Sequence, residues 1–206
     1  MDTLVLIRKV QRSFGDDNSI FIKQDDILDW INDAQLQIVR ETNCLVEEAF
    51  VAANLFPWTL PDNFLKTARV LYGPKILSYV PVEGLDSQSA DLSNVYVPNL
   101  YYFIKDQMRL YPNASTTDAT SVTIQYDKMP VAITSTSEQL TVPPVYHEDI
   151  VRFCLARAHE RNENYRGMEI AMQEFAARIS DRIDESDVQD EAYSVIRDDP
   201  YWVGYS

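Results

Sequence analysis

The sequence predicts an α+β protein: N- and C-terminal helices form one antiparallel bundle, a small antiparallel β unit is inserted between them, and an extended tail closes the chain. Three observations carry that reading. Apolar residues recur at helical spacing through the first segment, the period falls to two from Leu45 to Val142, and helical spacing resumes at Tyr146. Two helices alone cannot bury their apolar stripes. Residues 1–44 are therefore expected to pack with 146–184 as one bundle, with 45–145 as the inserted β domain and 185–206 as an acidic and aromatic tail.

The elements follow in chain order. Leu4, Ile7, Val10 or Gln11, and Phe14 mark a short amphipathic helix from Thr3 to Phe14, and Gly15 stands where a left-handed cap would end it. In "DDILDWINDAQLQIVRE" the residues Ile27, Ile31, Ala34 and Ile38 share one stripe, while Asp25 and Asp26 occupy the first turn, where negative charge complements the helix dipole. Strands are expected at 47–54, 66–72, 75–81, 100–104, 107–111 and 120–127; in the last, Val122, Ile124 and Tyr126 alternate with Thr123, Gln125 and Asp127. The turn signals "YGPK" and "KDQ" and the polar run "PNASTTDATS" separate them, and a short helix fits near 82–90. Pro143 and Pro144 then stop strand pairing because proline lacks the ladder N–H. Ile150, Cys154 and Ala158 mark a third helix; Met168, Met172, Phe175, Ile179 and Ile183 mark a fourth after a break near Gly167. The methionines read as core filler on an amphipathic face.

At 206 residues and 46% hydrophobic content the chain can build a substantial core. No apolar run approaches the ~20 residues that cross a bilayer. The opening "MDTLVLIRKVQRSF" places its charges after an apolar run, the reverse of a signal peptide, so the protein is expected to stay in the compartment where it is made. Cys44 and Cys154 read as small buried hydrophobes rather than a disulfide. With 18 basic and 32 acidic residues the net charge is −14, which opposes tight DNA binding, since that affinity comes from Lys and Arg neutralising phosphates. The excess is uneven: residues 184–200 hold seven acids and only Arg197, whereas 146–183 hold seven acids and six arginines.

Catalytic signatures are missing. The sequence has no phosphate-binding glycine loop, no nucleophile elbow and no C-x-x-C. His147 and His159 each precede glutamate, but two histidines 12 apart cannot form H-E-x-x-H; His147 reads as a first-turn surface residue and His159 as a helix-face residue, with no metal or cofactor implied. The adjacent carboxylates Asp16–Asp17, Asp25–Asp26 and Glu47–Glu48 read as solvated charge, although a carboxylate-based hydrolase leaves no local motif to test. The arginines at 152, 157, 161, 166, 178 and 182 admit two readings. One is support along the helices, such as Glu174 with Arg178, Arg157 with Glu160, or Arg161 with the neighbours of Glu163. The other is contact between protomers, where the bidentate guanidinium suits Arg152, Arg157, Arg161 and Arg166, with Trp30 at an element or protomer boundary.

The order of elements resembles the head-to-tail connector, or adaptor, proteins of tailed bacteriophages. The resemblance is carried by "DDILDWINDAQLQIVRE", by "WTLPDNFLKTARVLY" leading into strands, and by "LTVPPVYHEDIVRFCLARAHERNENY" with the amphipathic helix after it, over roughly residues 1–185. It implies a structural, non-enzymatic virion protein that forms a homo-oligomeric ring, commonly of twelve subunits, beneath the portal protein. Such a ring sits in the virion neck after assembly in the host cytoplasm, joins portal to downstream tail or neck proteins, and lets DNA pass without holding it. Another neck or tail-completion protein, a stopper or tail terminator, is the nearest alternative. The family brings no catalytic residues.

The chain ends "DDPYWVGYS". Aromatic anchors in an interface pocket explain Tyr201, Trp202, Val203 and Tyr205, with Tyr193 upstream, as a docking segment for portal or a neighbouring subunit. The acidic stretch before them is expected to be extended or weakly helical, with Pro200 ending any helix. The same rings folding back on their own bundle are the alternative.

Overall fold

The computed structural model describes residues 2–85 and 97–197, with side chains of the last helix described as far as Ile183. Four α-helices and two small sheets make up the described residues: α1 (Thr3–Phe14), α2 (Gln24–Thr42), β1 (Val46–Ala52), β2 (Trp58–Thr59), β3 (Phe64–Tyr72), β4 (Lys75–Ile76), β5 (Ser78–Tyr79), β6 (Leu100–Ile104), β7 (Gln107–Tyr111), β8 (Ser121–Lys128), α3 (His147–Arg161) and α4 (Tyr165–Arg197). They fall into two compact units, a helical one of residues 1–44 and 130–206 and a β unit of residues 45–129.

The helical unit is built on α2, whose stripe of Ile27, Ile31, Ala34 and Ile38 is wholly buried. Its first turn is closed by Asp26, whose carboxylate accepts the Lys23 backbone N–H at 3.2 Å. α2 packs against α3 and α4, and α1 against α3. Phe153 of α3 meets Phe175 of α4 edge-on at 5.4 Å, at the centre of the core. The buried face of α1 is Thr3, Leu6, Ile7, Val10 and Gln11, so Leu6 holds the position that spacing assigns to Leu4. Gly15 caps this helix at φ 88°, a left-handed conformation that costs a non-glycine residue about 1–2 kcal/mol.

The dividing line falls at 129/130 rather than at 145/146, and α2 supplies the reason. Asn32 donates to the Ile133 carbonyl at 2.9 Å and accepts the Ile133 N–H at 2.8 Å, and the buried Gln35 accepts the Thr141 N–H at 2.9 Å. Irregular chain with its backbone groups satisfied in this way needs no sheet. The break between the last two helices comes at Asn162, ahead of Gly167, which lies inside the first turn of α4.

At its other end α4 continues as helix to Arg197, so of the extended and weakly helical forms expected for the acidic stretch the described residues 184–197 take the helical one, and the boundary expected at 184 does not end the helix. No proline interrupts 184–197, and Glu, Gln and Ala within it are good helix formers, which outweighs repulsion among the acids. Residues 198–206 lie outside the described residues.

In the β unit the sheets run β1-β8-β3-β4 and β2-β7-β6-β5, antiparallel except for the β5–β6 pair. Their inner faces share one core that includes Val70, Met108, Leu110, Val122, Ile124 and Tyr126. β2 is too short to show alternation and has no counterpart among the expected strands. Near 82–90 the described part is a 3-10 turn, Val82–Gly84, followed by Leu85 in helical conformation; residues 86–90 lie outside the described residues.

Candidate interaction site

The faces of α3 and α4 carry the arginines, and an aspartate absent from the sequence-level candidates organises them. Asp149 lies in the first turn of α3 and is wholly buried. Its Oδ1 accepts Arg178 Nε at 2.5 Å and its Oδ2 accepts Arg182 Nε at 2.8 Å. Arg182 further donates through Nη2 to the Val145 carbonyl at 2.7 Å and stacks over Tyr146, its guanidinium carbon 5.4 Å from the ring centroid. The hydrogen bond to Asp149 is the main cause holding the Arg178 pKa above its usual value. A buried carboxylate with two cations converging on it is satisfied, and it fixes the register of α4 on α3.

The remaining arginines divide. Arg152 pairs with Glu174 across the two helices at 3.0 Å, Arg157 with Glu160 at 2.9 Å, and Arg161 with Asp26 of α2 at 2.5 Å. Of the sequence-level pairings, only Arg157 with Glu160 is found. Arg178 goes to Asp149 instead of Glu174, and Arg161 goes to α2, because helices packed side by side bring partners that no local spacing reveals. Arg166 is exposed and forms no ion pair among the described residues. Trp30 is half-buried on α2.

Between α1, α3 and α4 lies an open cleft of about 390 Å³. Its floor includes the buried Val151, Leu155 and Ala171; the exposed Ile170 and two ion pairs, Lys9 with Glu148 and Arg152 with Glu174, also line it. At one end His159 meets the Phe14 ring at 5.3 Å. A Cβ on Gly167 would stand 2.7 Å from Asn164 Nδ2 and 3.0 Å from the His159 ring, so glycine allows α4 to begin this close to the end of α3.

His147 is buried rather than on the surface, its Nε2 3.3 Å from the Val142 carbonyl. Burial pushes its pKa below the ordinary value. Cys154 is wholly buried, which pushes its thiol pKa far up, and Cys44 and Cys154 are not joined in a disulfide. Among the described residues no group of three His, Cys, Asp or Glu is placed to hold a metal ion, and no helix is long and apolar enough to cross a membrane.

The sequence profile of the family described as SU10 adaptor protein matches residues 1–198, covering the helical unit and the β insertion together. The chain belongs to the SU10 adaptor protein family. No curated protein matches it. The chain is thus a phage adaptor-type protein, and the family places it among structural proteins of the virion. For an adaptor, a bundle locked by Asp149 and by inter-helix ion pairs supplies a rigid body from which surfaces can be presented. Of the expected docking residues, Tyr193 falls on the helical backbone of α4, while Tyr201, Trp202, Val203 and Tyr205 lie outside the described residues.

Proposed function

We propose that this adaptor is a subunit of the head-to-tail connector ring, of twelve copies by the family resemblance, that joins portal to the tail and extends the DNA channel. The observation that carries the reading is the family match from residue 1 to 198, which embraces both units. Two features support it. The net charge of −14 suits a wall past which DNA slides without being held. Arg152, Arg161, Arg178 and Arg182 are committed to fastening elements of one chain together, which suits a rigid building block.

In this reading the protein has no catalytic role, Tyr201, Trp202, Val203 and Tyr205 dock on portal as aromatic anchors, and Tyr193 docks on portal or a neighbouring subunit. Trp30 and Arg166, with the outward edges of Arg152, Arg157 and Arg161, are the proposed inter-subunit contacts. Its home is the virion neck, reached from the host cytoplasm during assembly. Mass measurement of the purified protein, alone and mixed with portal, tests the proposal. A closed complex of several adaptors on each portal ring is expected, and deleting Tyr201 to Ser206 should abolish it while leaving the melting temperature nearly unchanged. A wild-type protein that ignores portal and joins only downstream neck proteins would instead be a stopper. A truncated protein that melts much lower would place the rings on their own bundle.

A further inference from the structure

Helix α1 presents a cationic stripe that the bundle does not use. Arg8 and Arg12 are exposed one helical turn apart, and neither forms an ion pair among the described residues, whereas Lys9 between them pairs with Glu148. Val5, 50% exposed, continues the stripe, and an open hollow of about 450 Å³ runs over Val5, Arg8, Lys9, Arg12 and Ser13. In a chain of net charge −14, two uncommitted arginines beside an exposed apolar side chain complement an acidic surface.

The acid-rich stretch of this chain is 184–199, with seven acids against Arg197, and the course of α4 decides which copy can present it. Ser13, at the C-terminal end of the stripe, lines the same cleft as Gly167 and Ile170, whereas Lys9 in its middle pairs with Glu148, next to the Asp149 that Arg178 and Arg182 reach, so the stripe runs alongside the part of α4 that precedes Asp184. Arg182, further along, is already beside Val145, ahead of the start of α3. At ~1.5 Å per residue, Asp184 lies about 15 Å and Arg197 about 35 Å beyond Glu174. The acidic part of α4 therefore runs away from the arginines of its own chain.

We infer that the Val5, Arg8 and Arg12 stripe of one copy receives the acidic segment 184–197 of a second copy. The inference rests on the ring reading above and names its contact. Donor and receiver occupy different places on the chain, so the contact repeats head to tail and closes into a ring when the rotation permits. It also leaves Tyr201 to Tyr205, beyond the acidic segment, available to portal.

The test uses full-length protein, with and without portal, followed by native mass and sedimentation at about 0.05 M and about 0.5 M salt. Wild type should self-associate in at least one of these states, with an association constant that falls about tenfold or more at the higher salt. Arg8→Glu with Arg12→Glu should lose at least as much at low salt, and so should Asp187→Lys with Asp190→Lys. Mixing the two variants should restore a mixed oligomer, which a misfolded variant could not join. Four results would overturn the contact: Arg8→Glu/Arg12→Glu assembling like wild type, mixing that restores nothing, wild type monomeric in both states, or wild type retained on duplex DNA through these arginines. Joining to portal unaffected by either charge reversal removes this contact and leaves the connector reading in place. Restored mixed oligomers with no joining to portal do the opposite.

Discussion

Arg182 reaches Asp149 from one helix to the next, Nε to Oδ2 at 2.8 Å, and the carboxylate it meets is wholly buried. Arg178 takes the other oxygen. The arginine side chains retain 20% and 41% of their exposure, so each can regain water if the carboxylate is removed, whereas the carboxylate cannot if they are.

That asymmetry gives an ordered pair of outcomes. Asp149→Ala should cost about 2–3 kcal/mol, below the ~3–5 kcal/mol typical of breaking a fully buried pair, because the stranded cations rehydrate. Arg178→Ala with Arg182→Ala should cost more, since Asp149 is then left buried and unpaired. Urea unfolding followed by helical circular dichroism measures both, and the reverse order would show that the carboxylate is not desolvated.

Ile31 sits at the middle of the buried stripe of α2. Ile31→Ala should lose roughly 2–5 kcal/mol, the transfer term plus the cavity left behind. A loss below about half a kilocalorie in the same measurement would mean that the site collapses around the smaller side chain.

His147 makes the stability of the helical unit depend on pH. Burial holds its folded pKa below the ordinary value of 6.5, so in the window beneath 6.5 the unfolded chain binds a proton that the folded chain resists. Stability should therefore fall as pH falls through that window and be fully present above it. His147→Gln should flatten the difference between urea midpoints at about pH 7.5 and about pH 5.5. An undiminished difference in the variant would assign the dependence to other groups.

Duplex DNA should be retained negligibly at physiological salt. Of the cations, Lys9, Arg152, Arg157, Arg161, Arg178 and Arg182 are already engaged by carboxylates, and the net charge is −14. Few counterions can be released, which removes the main source of affinity. Salt-sensitive retention at micromolar protein would move the function towards packaging or replication.

The parts of this fold legible in the sequence are those set by local periodicity. The α2 stripe could be read because Ile27, Ile31, Ala34 and Ile38 recur every three or four residues and all face one core. β8 could be read because its buried Val122, Ile124 and Tyr126 alternate with the half-buried Thr123 and Gln125, although Asp127, expected on the outward set, is buried. Asp149 could not: its partners lie 29 and 33 residues away on another helix, and an acid in a first turn ordinarily reads as a dipole complement. A trace existed in Arg178 and Arg182, spaced one turn apart on the next helix as if for a shared partner. His147 was misplaced for a related reason, since its burial depends on the path of 130–146 and not on its own turn. At the interaction site, Arg157 with Glu160 followed from spacing, while the cross-helix pairs of Arg152 and Arg161 depend on packing that spacing does not encode.

The β unit starts and finishes at a single point, where the Lys128 N–H donates to the Leu45 carbonyl at 2.9 Å. Once folded, it acts on the chain as a clasp. The long excursion between α2 and Pro130 shrinks to the span of one hydrogen bond, sparing the later helices a loop-closure entropy of about 4 kcal/mol. The order of events in refolding should reflect this: β signals should form first or together with the helices, and core substitutions in the β unit should slow the docking of α3 onto α2 without touching either helix. Helical docking at an unchanged rate in such a variant would show that the two units close independently.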